Sequence, residues 1–439
     1  MNKNKQRSTE NNISWFKLDT SAKIYPAIES PEEPTIFRLS MTLREDIDPD
    51  LLQQALNIVK PRFPYYNVYL RVGIFWHYLE QNPNPPIVWG ETPFPCERLY
   101  PVYNNGFLYM IRVYKKRTAA EFSHVLTDGS GGLEFLKTLV CQYLILQGKL
   151  KDFPAGIMRS DEPPAPEEYE DAFLAVLKLE KERLDTIPKQ RTLFTTDKVF
   201  KIKERILPLG DFRITRGSIP FSDLKTIAKR YGLTLTEFLS ALYIETLIHI
   251  QHDQVKNKAK HKRVGLSIPV NMRNLYPRRS MRNFSLFVVP KVDPKNIHSF
   301  EDLAALIKEY MKESITRDKL LVMIKDNCEL GENKIIRSVP VFIKNFVIRY
   351  LSNTQGHSQF SGVITNLGAL RLPSELEEHV DDANIMLGPS IHSKTVCAVI
   401  GYKDHIHVNF GRINRQPLVE KHFFRRLVEL GAHVSIKTN

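Results

Sequence analysis

Cysteine is scarce and scattered. The four residues Cys96, Cys141, Cys328 and Cys397 form no C-x-x-C pair, which argues against a disulfide scaffold, a zinc ribbon or a thioredoxin-type motif. No secretory leader precedes them, so reduced thiols in a cytoplasmic protein are expected. No apolar run reaches the roughly 20 residues that cross a bilayer. The nearest, 335–351 (IIRSVPVFIKNFVIRYL), is interrupted by Arg337, Lys344 and Arg349. A basic amphipathic helix of this kind packs its apolar stripe on its own protein or lies on a membrane. Internal packing is expected here, and peripheral membrane contact is the alternative. His392, His405 and His407 lack cysteine or carboxylate partners at a ligand spacing, so no metal site is expected. Acidic residues are outnumbered, 49 against 62 Lys and Arg, for a net charge of +13. That excess favours anionic partners such as a lipid surface or a phosphate-bearing ligand. Nucleic acid is not expected, because no helix-turn-helix, zinc or basic-aromatic motif accompanies the charge.

What is present describes a globular protein. Its 439 residues are 42% hydrophobic and 25% charged, long enough for two subdomains. The expected layout is a polar tail at 1–12, a first subdomain over 13–160, an acidic, proline-containing linker over 161–200, and a second subdomain over 201–439. The centre of the linker, DEPPAPEE at 161–168, reads as an exposed connection.

Periodicity fills in an α/β order. Strands are expected at 36–43, 65–72, 75–79, 107–114 and 118–123. A helix opens at Asp48 as N-cap with Pro49 in the first turn, and another runs over 133–145. In the second half, 203–219 reads as strand and 222–231 as a helix closed by Gly232. Thr234 and Glu237 form a capping box for a helix to about residue 251. Strands follow at 263–270, 284–289, 360–366, 394–402 and 405–411, with helices at 301–314, 334–352 and 417–430.

One stretch carries chemistry. His124-Val125-Leu126-Thr127-Asp128-Gly129 follows an apolar strand and precedes a helix, placing a base that titrates near neutrality on a turn at a strand end. Chance would supply an H-x-x-x-D-G pattern about 0.03 times in a chain of this composition, so coincidence does not account for it. Ser130 lies in no G-x-S-x-G elbow, which sets aside a hydrolase triad.

HVLTDGSGG resembles the active-site segment of the chloramphenicol-acetyltransferase-like superfamily, which includes alcohol acetyltransferases and the condensation domains of peptide synthetases. Three further stretches are similar in order: WFKLDTSAKIYP (15–26) to the opening of the alcohol acetyltransferase branch, SIPVNMRNLYP (267–277) to a strand supplying a buried arginine, and FSGVITNLGAL (360–370) to the crossover strand. Ser123 stands where many condensation domains carry a second histidine.

The resemblance implies two α/β sandwich subdomains with an active-site tunnel at their interface. It implies His124 as general base, with acyl-CoA as co-substrate, no permanently bound cofactor and an alcohol as acceptor. Asp128 would pair structurally with Arg273 rather than orient the imidazole. Gly129 is expected to adopt a backbone conformation that side chains disfavour. Asn366 is a candidate oxyanion donor, its alternative being a turn residue. Asn271 is a candidate substrate contact, its alternative a sheet cap. The alternative functions are a condensation-type enzyme using a carrier-protein thioester, or a non-catalytic member of the fold. A monomer is expected.

Overall fold

The structure is a computed structural model describing residues 15–188 and 198–439; the polar tail and part of the linker lie outside them. Three sheets organise the chain. The first holds five strands in the order Val380–Leu387, Ile36–Leu43, Arg117–Ser123, Tyr109–Tyr114 and Val88–Gly90. All its pairs are antiparallel except the last. The second, of eight strands, is built wholly from the second half, with Val264–Asn271, Gly362–Leu370, Thr395–Tyr402 and His405–Arg412 at its centre. Trp15–Lys17, Val68–Val72 and His77–Gln81 make a small third sheet.

Each large sheet is covered by helices whose ends the sequence encodes. Asp48 caps Pro49–Val59 by accepting the N–H groups of Asp50 and Leu51. That helix packs against Gly129–Leu146 over the first sheet. In the second half the Thr234–Glu237 capping box is formed reciprocally, at 2.7 and 3.3 Å. It starts Leu235–Gln254, which is buried against Phe300–Ser314 and Leu418–Glu429. Gly232 takes φ +64° after the preceding helix, the left-handed turn expected of it. No single helix among the described residues is long and apolar enough to cross a membrane.

Three expectations are corrected. The strand that joins the first sheet from the second half is Val380–Leu387, in register with Ile36–Leu43. The stretch expected in that role, Gly362–Leu370, stays in the second sheet, parallel to both its neighbours. The strand read over 203–219 is confined to Arg213–Pro220. The helix read over 334–352 breaks at Pro340 into Lys334–Ser338 and Val341–Leu351, since proline lacks the N–H that would continue the ladder. A further helix, Arg317–Glu332, was not anticipated.

The acidic linker is not merely an exposed connection. Glu168 is buried, with both carboxylate oxygens on Arg62 at 2.6 Å and the Tyr65 hydroxyl at 2.7 Å. Just beyond it, Ala172–Leu179 buries Ala172, Phe173 and Val176 against Leu320, Leu321 and Ile324 of the unanticipated helix. Proline and acid density signalled surface, but a carboxylate whose partner lies 106 residues earlier leaves no local trace. Removing one member of a buried ion pair strands the other charge. Glu168→Ala is therefore expected to cost about 3–5 kcal/mol in denaturant unfolding, whereas truncating the exposed neighbour Glu167 should change stability by less than about 0.5 kcal/mol.

Candidate active site

His124 ends the strand Arg117–Ser123, and its main chain is fixed on both sides. Its N–H donates to the Thr35 carbonyl at 3.0 Å, and its own carbonyl accepts from the Asn283 amide at 2.9 Å. The ring stacks on Tyr25, with centroids 5.1 Å apart and planes inclined by 19°, and lies 4.7 Å from the ring of Phe37. The residue is half-buried, but Nδ1 is shut from solvent and has no hydrogen-bond partner among the described residues. Burial lowers the imidazole pKa from 6.5 to about 4, against the opposing influence of the Asp128 carboxylate, the Thr127 main chain and Asn283. The ring is therefore neutral at pH 7, the form that accepts a proton.

Asp128 does not face the imidazole as a triad acid would. One oxygen caps Gly129–Leu146 by accepting from the N–H groups of Ser130 and Gly131, both at 3.1 Å. The other accepts from Arg273 Nη1 at 2.7 Å and from the Phe284 N–H at 2.8 Å. Burial pushes its pKa upward, but Arg273 and the N–H donors outweigh that effect and hold it below the usual carboxylate value. Arg273 pairs with Asp128 through Nη1 alone. Its remaining nitrogens donate to the carbonyls of Ser280 and Arg282, so it ties the His-bearing turn to a loop of the second half.

That loop, residues 280–284, closes on the turn at several points. Thr127 Oγ1 and the Tyr66 hydroxyl donate to the Met281 carbonyl at 2.7 and 2.8 Å. The Asn283 side chain also donates to Asp19 at 3.0 Å, and burial raises the pKa of Asp19 to about 7. Arg282 is fully buried with its guanidinium over the ring of Phe16. Tyr25, Asp19, Asn283 and Tyr66 were not anticipated as site residues. Tyr25 and Asp19 lie in WFKLDTSAKIYP, so that stretch held a signal, while the 280–284 loop carries no motif.

Three other expectations change. Gly129 has no positive φ, and a Cβ there would meet only Leu367 Cδ1 at 3.3 Å and Ile385 Cδ1 at 3.7 Å. The constrained glycine is Gly131, where a Cβ would lie 2.3 Å from Thr127 Oγ1 and 2.5 Å from the Met281 carbonyl oxygen. Asn366 sits within the strand Gly362–Leu370, at a bulge: its side-chain oxygen accepts from the Gly368 N–H at 2.9 Å and its side-chain amide donates to Thr236 Oγ1 at 3.0 Å. Asn271 caps the turn leading to Arg273, at 3.0 Å, and donates to Ser130 Oγ at 3.1 Å. Both amides are held by protein partners, so neither is carried forward as a substrate contact.

A clash with main chain cannot be relieved by a rotamer change. Gly131→Ala should therefore lower stability by about 2 kcal/mol or more, with Gly129→Ala costing under about 1 kcal/mol, both read from denaturant midpoints.

No family model matches the sequence, and no curated protein matches it. Solved structures do. The chain is similar to polyketide synthase associated protein 5 from Mycobacterium tuberculosis, at 16% identity, covering 94% of this chain and 97% of that one, with a TM-score of 0.58. It is similar to the starter condensation domain of rhizomide synthetase, solved in complex with C8-CoA, at 13% identity, 95% of each chain and a TM-score of 0.60. It is also similar to the trichothecene 15-O-acetyltransferase of Fusarium sporotrichioides, at 11% identity, 95% and 96% coverage and a TM-score of 0.59. Matched over 94–95% of its length by acyltransferase and condensation-domain structures alike, the chain has their two-subdomain α/β fold, with the histidine turn clasped by its second half.

Proposed function

We propose that the protein is an O-acyltransferase that moves an acyl group, acetyl in the simplest case, from a coenzyme A thioester to an alcohol, with His124 as general base. The observation that carries this reading is the imidazole itself. It is neutral, stacked on Tyr25 with Phe37 tilted beside it, and its buried Nδ1 has no hydrogen-bond partner among the described residues, at the junction of the two halves. A neutral imidazole at a strand end, facing a loop of the second half, is suited to accept a proton.

In the proposed reaction His124 takes the acceptor's hydroxyl proton as the oxygen attacks the thioester carbonyl. Collapse of the tetrahedral intermediate breaks the C–S bond, and the proton passes from the imidazolium to the departing thiolate. Ester and free coenzyme A are the products, and no acyl-enzyme forms. The two substrates would meet in a channel between the subdomains. Asp128 and Arg273 are positioning residues, holding the turn rather than touching the substrate. The likeness to condensation domains supports a second reading, in which a carrier-protein thioester is the donor, and comparing the two donors separates them.

The test is release of free thiol from acetyl-CoA with a panel of alcohols. His124→Ala is expected to lose about 100-fold or more of kcat/KM, the scale of general-base catalysis, while its melting temperature stays within a few degrees of the parent. Retained turnover would remove His124 from the chemistry. The depressed pKa fixes the pH dependence: a base must be unprotonated, so kcat/KM should be insensitive to His124 titration from pH 6 to pH 8 and fall only towards a pKa of about 4. A limb centred at 6.5 would contradict burial of the ring.

A further inference from the structure

The segment expected to bury its apolar stripe does the reverse. In Val341–Leu351, Phe342 is 71% exposed, Phe346 74% and Tyr350 60%, and Ile343, Val347 and Leu351 flank them, also exposed. Spacing of four places these side chains on one face. The opposite face, with Val341 buried and Ile348 half-buried, meets the protein. A second apolar element lies beside it. At the tip of the hairpin joining Val68–Val72 to His77–Gln81, Ile74 is 75% exposed and Phe75 is also exposed.

Helix and hairpin are joined into one platform. The Val341 N–H donates to the Ile74 carbonyl at 2.8 Å. Lys344 Nζ donates to the Phe75 carbonyl at 2.8 Å and sits 3.6 Å from the centre of the Trp76 ring. The Arg337 guanidinium lies 5.7 Å from the same ring. From Asn333 to Gln359 the chain carries lysine and arginine but no aspartate or glutamate, and the hairpin tip from Val72 to Trp76 carries no charged residue.

An exposed aromatic face rimmed by cations marks an interaction surface. A second copy of the same face would bring like charges together, whereas anionic headgroups complement the rim and the interfacial region accepts the aromatic rings. We propose that this face seats the protein on an anionic membrane surface as a peripheral protein, with Phe342, Phe346, Tyr350 and Ile74 entering the headgroup layer. The helix packs on Tyr25–Ile28, to which Arg349 donates through the Ala27 carbonyl at 2.9 Å. Tyr25 in turn stacks on His124, so the docked face would stand one short helix away from the imidazole.

The test uses the full chain and vesicle co-sedimentation, with no turnover read, so its outcome is independent of the proposed chemistry. At about 0.1 M salt, the protein should pellet with vesicles of phosphatidylcholine containing about 20% phosphatidylserine, and less with phosphatidylcholine alone. Phe342→Ser/Phe346→Ser and, separately, Ile74→Ser should reduce binding by on the order of tenfold with unchanged melting temperatures, because these side chains are exposed. A parent protein that stays in the supernatant, equal pelleting by the Phe342→Ser/Phe346→Ser variant, or equal pelleting with neutral vesicles would overturn the proposal. So would a dimer, seen by sedimentation velocity, that this variant dissociates while no form binds vesicles.

Discussion

The whole site depends on how one carboxylate is divided between two tasks. Asp128 starts a helix of the first half with one oxygen and holds Arg273 and the Phe284 N–H of the second half with the other. Neither task alone would fix His124. Together they set the turn's direction relative to the first sheet and clamp it from the far side. Because both halves compete for the same charged group, the geometry persists only while the carboxylate is ionised, and its lowered pKa keeps it so. An ion pair of this kind adds little net stability once desolvation is counted. Its value here is registration of one half against the other.

The imidazole is held differently. Among the described residues no acidic side chain hydrogen-bonds it; Tyr25 stacks on it with Phe37 beside it, and Thr35 and Asn283 fix its main chain. Stacking on Tyr25 constrains the ring, and burial keeps it neutral.

Local chemistry was legible in the sequence wherever partners were close in the chain. Asp48 before Pro49, the Thr234–Glu237 box and Gly232 each specify a helix end through groups a few residues apart, and the structure holds all three. His124 at a strand end and Asp128 opposite Arg273 were readable because a shared motif brought them together. Contacts across long separations were not. Asn283 and Met281 reach the turn from a loop that carries no pattern of its own, and Glu168 finds Arg62 from within a segment whose prolines and acids spell surface. The helix Val341–Leu351 misled in the opposite way: its stripe was read correctly, but periodicity does not say which face meets water.

The crossing strand Val380–Leu387 reaches beyond catalysis. It borders Ile36–Leu43, a strand buried along nearly its whole length, so until residue 387 has been synthesised the first sheet presents raw main-chain donors and acceptors on an apolar edge. More than half of the chain, from Ser123 to Val380, separates that edge from the strand that covers it. A first half taken without residues 380–387 would leave that strand's edge uncovered.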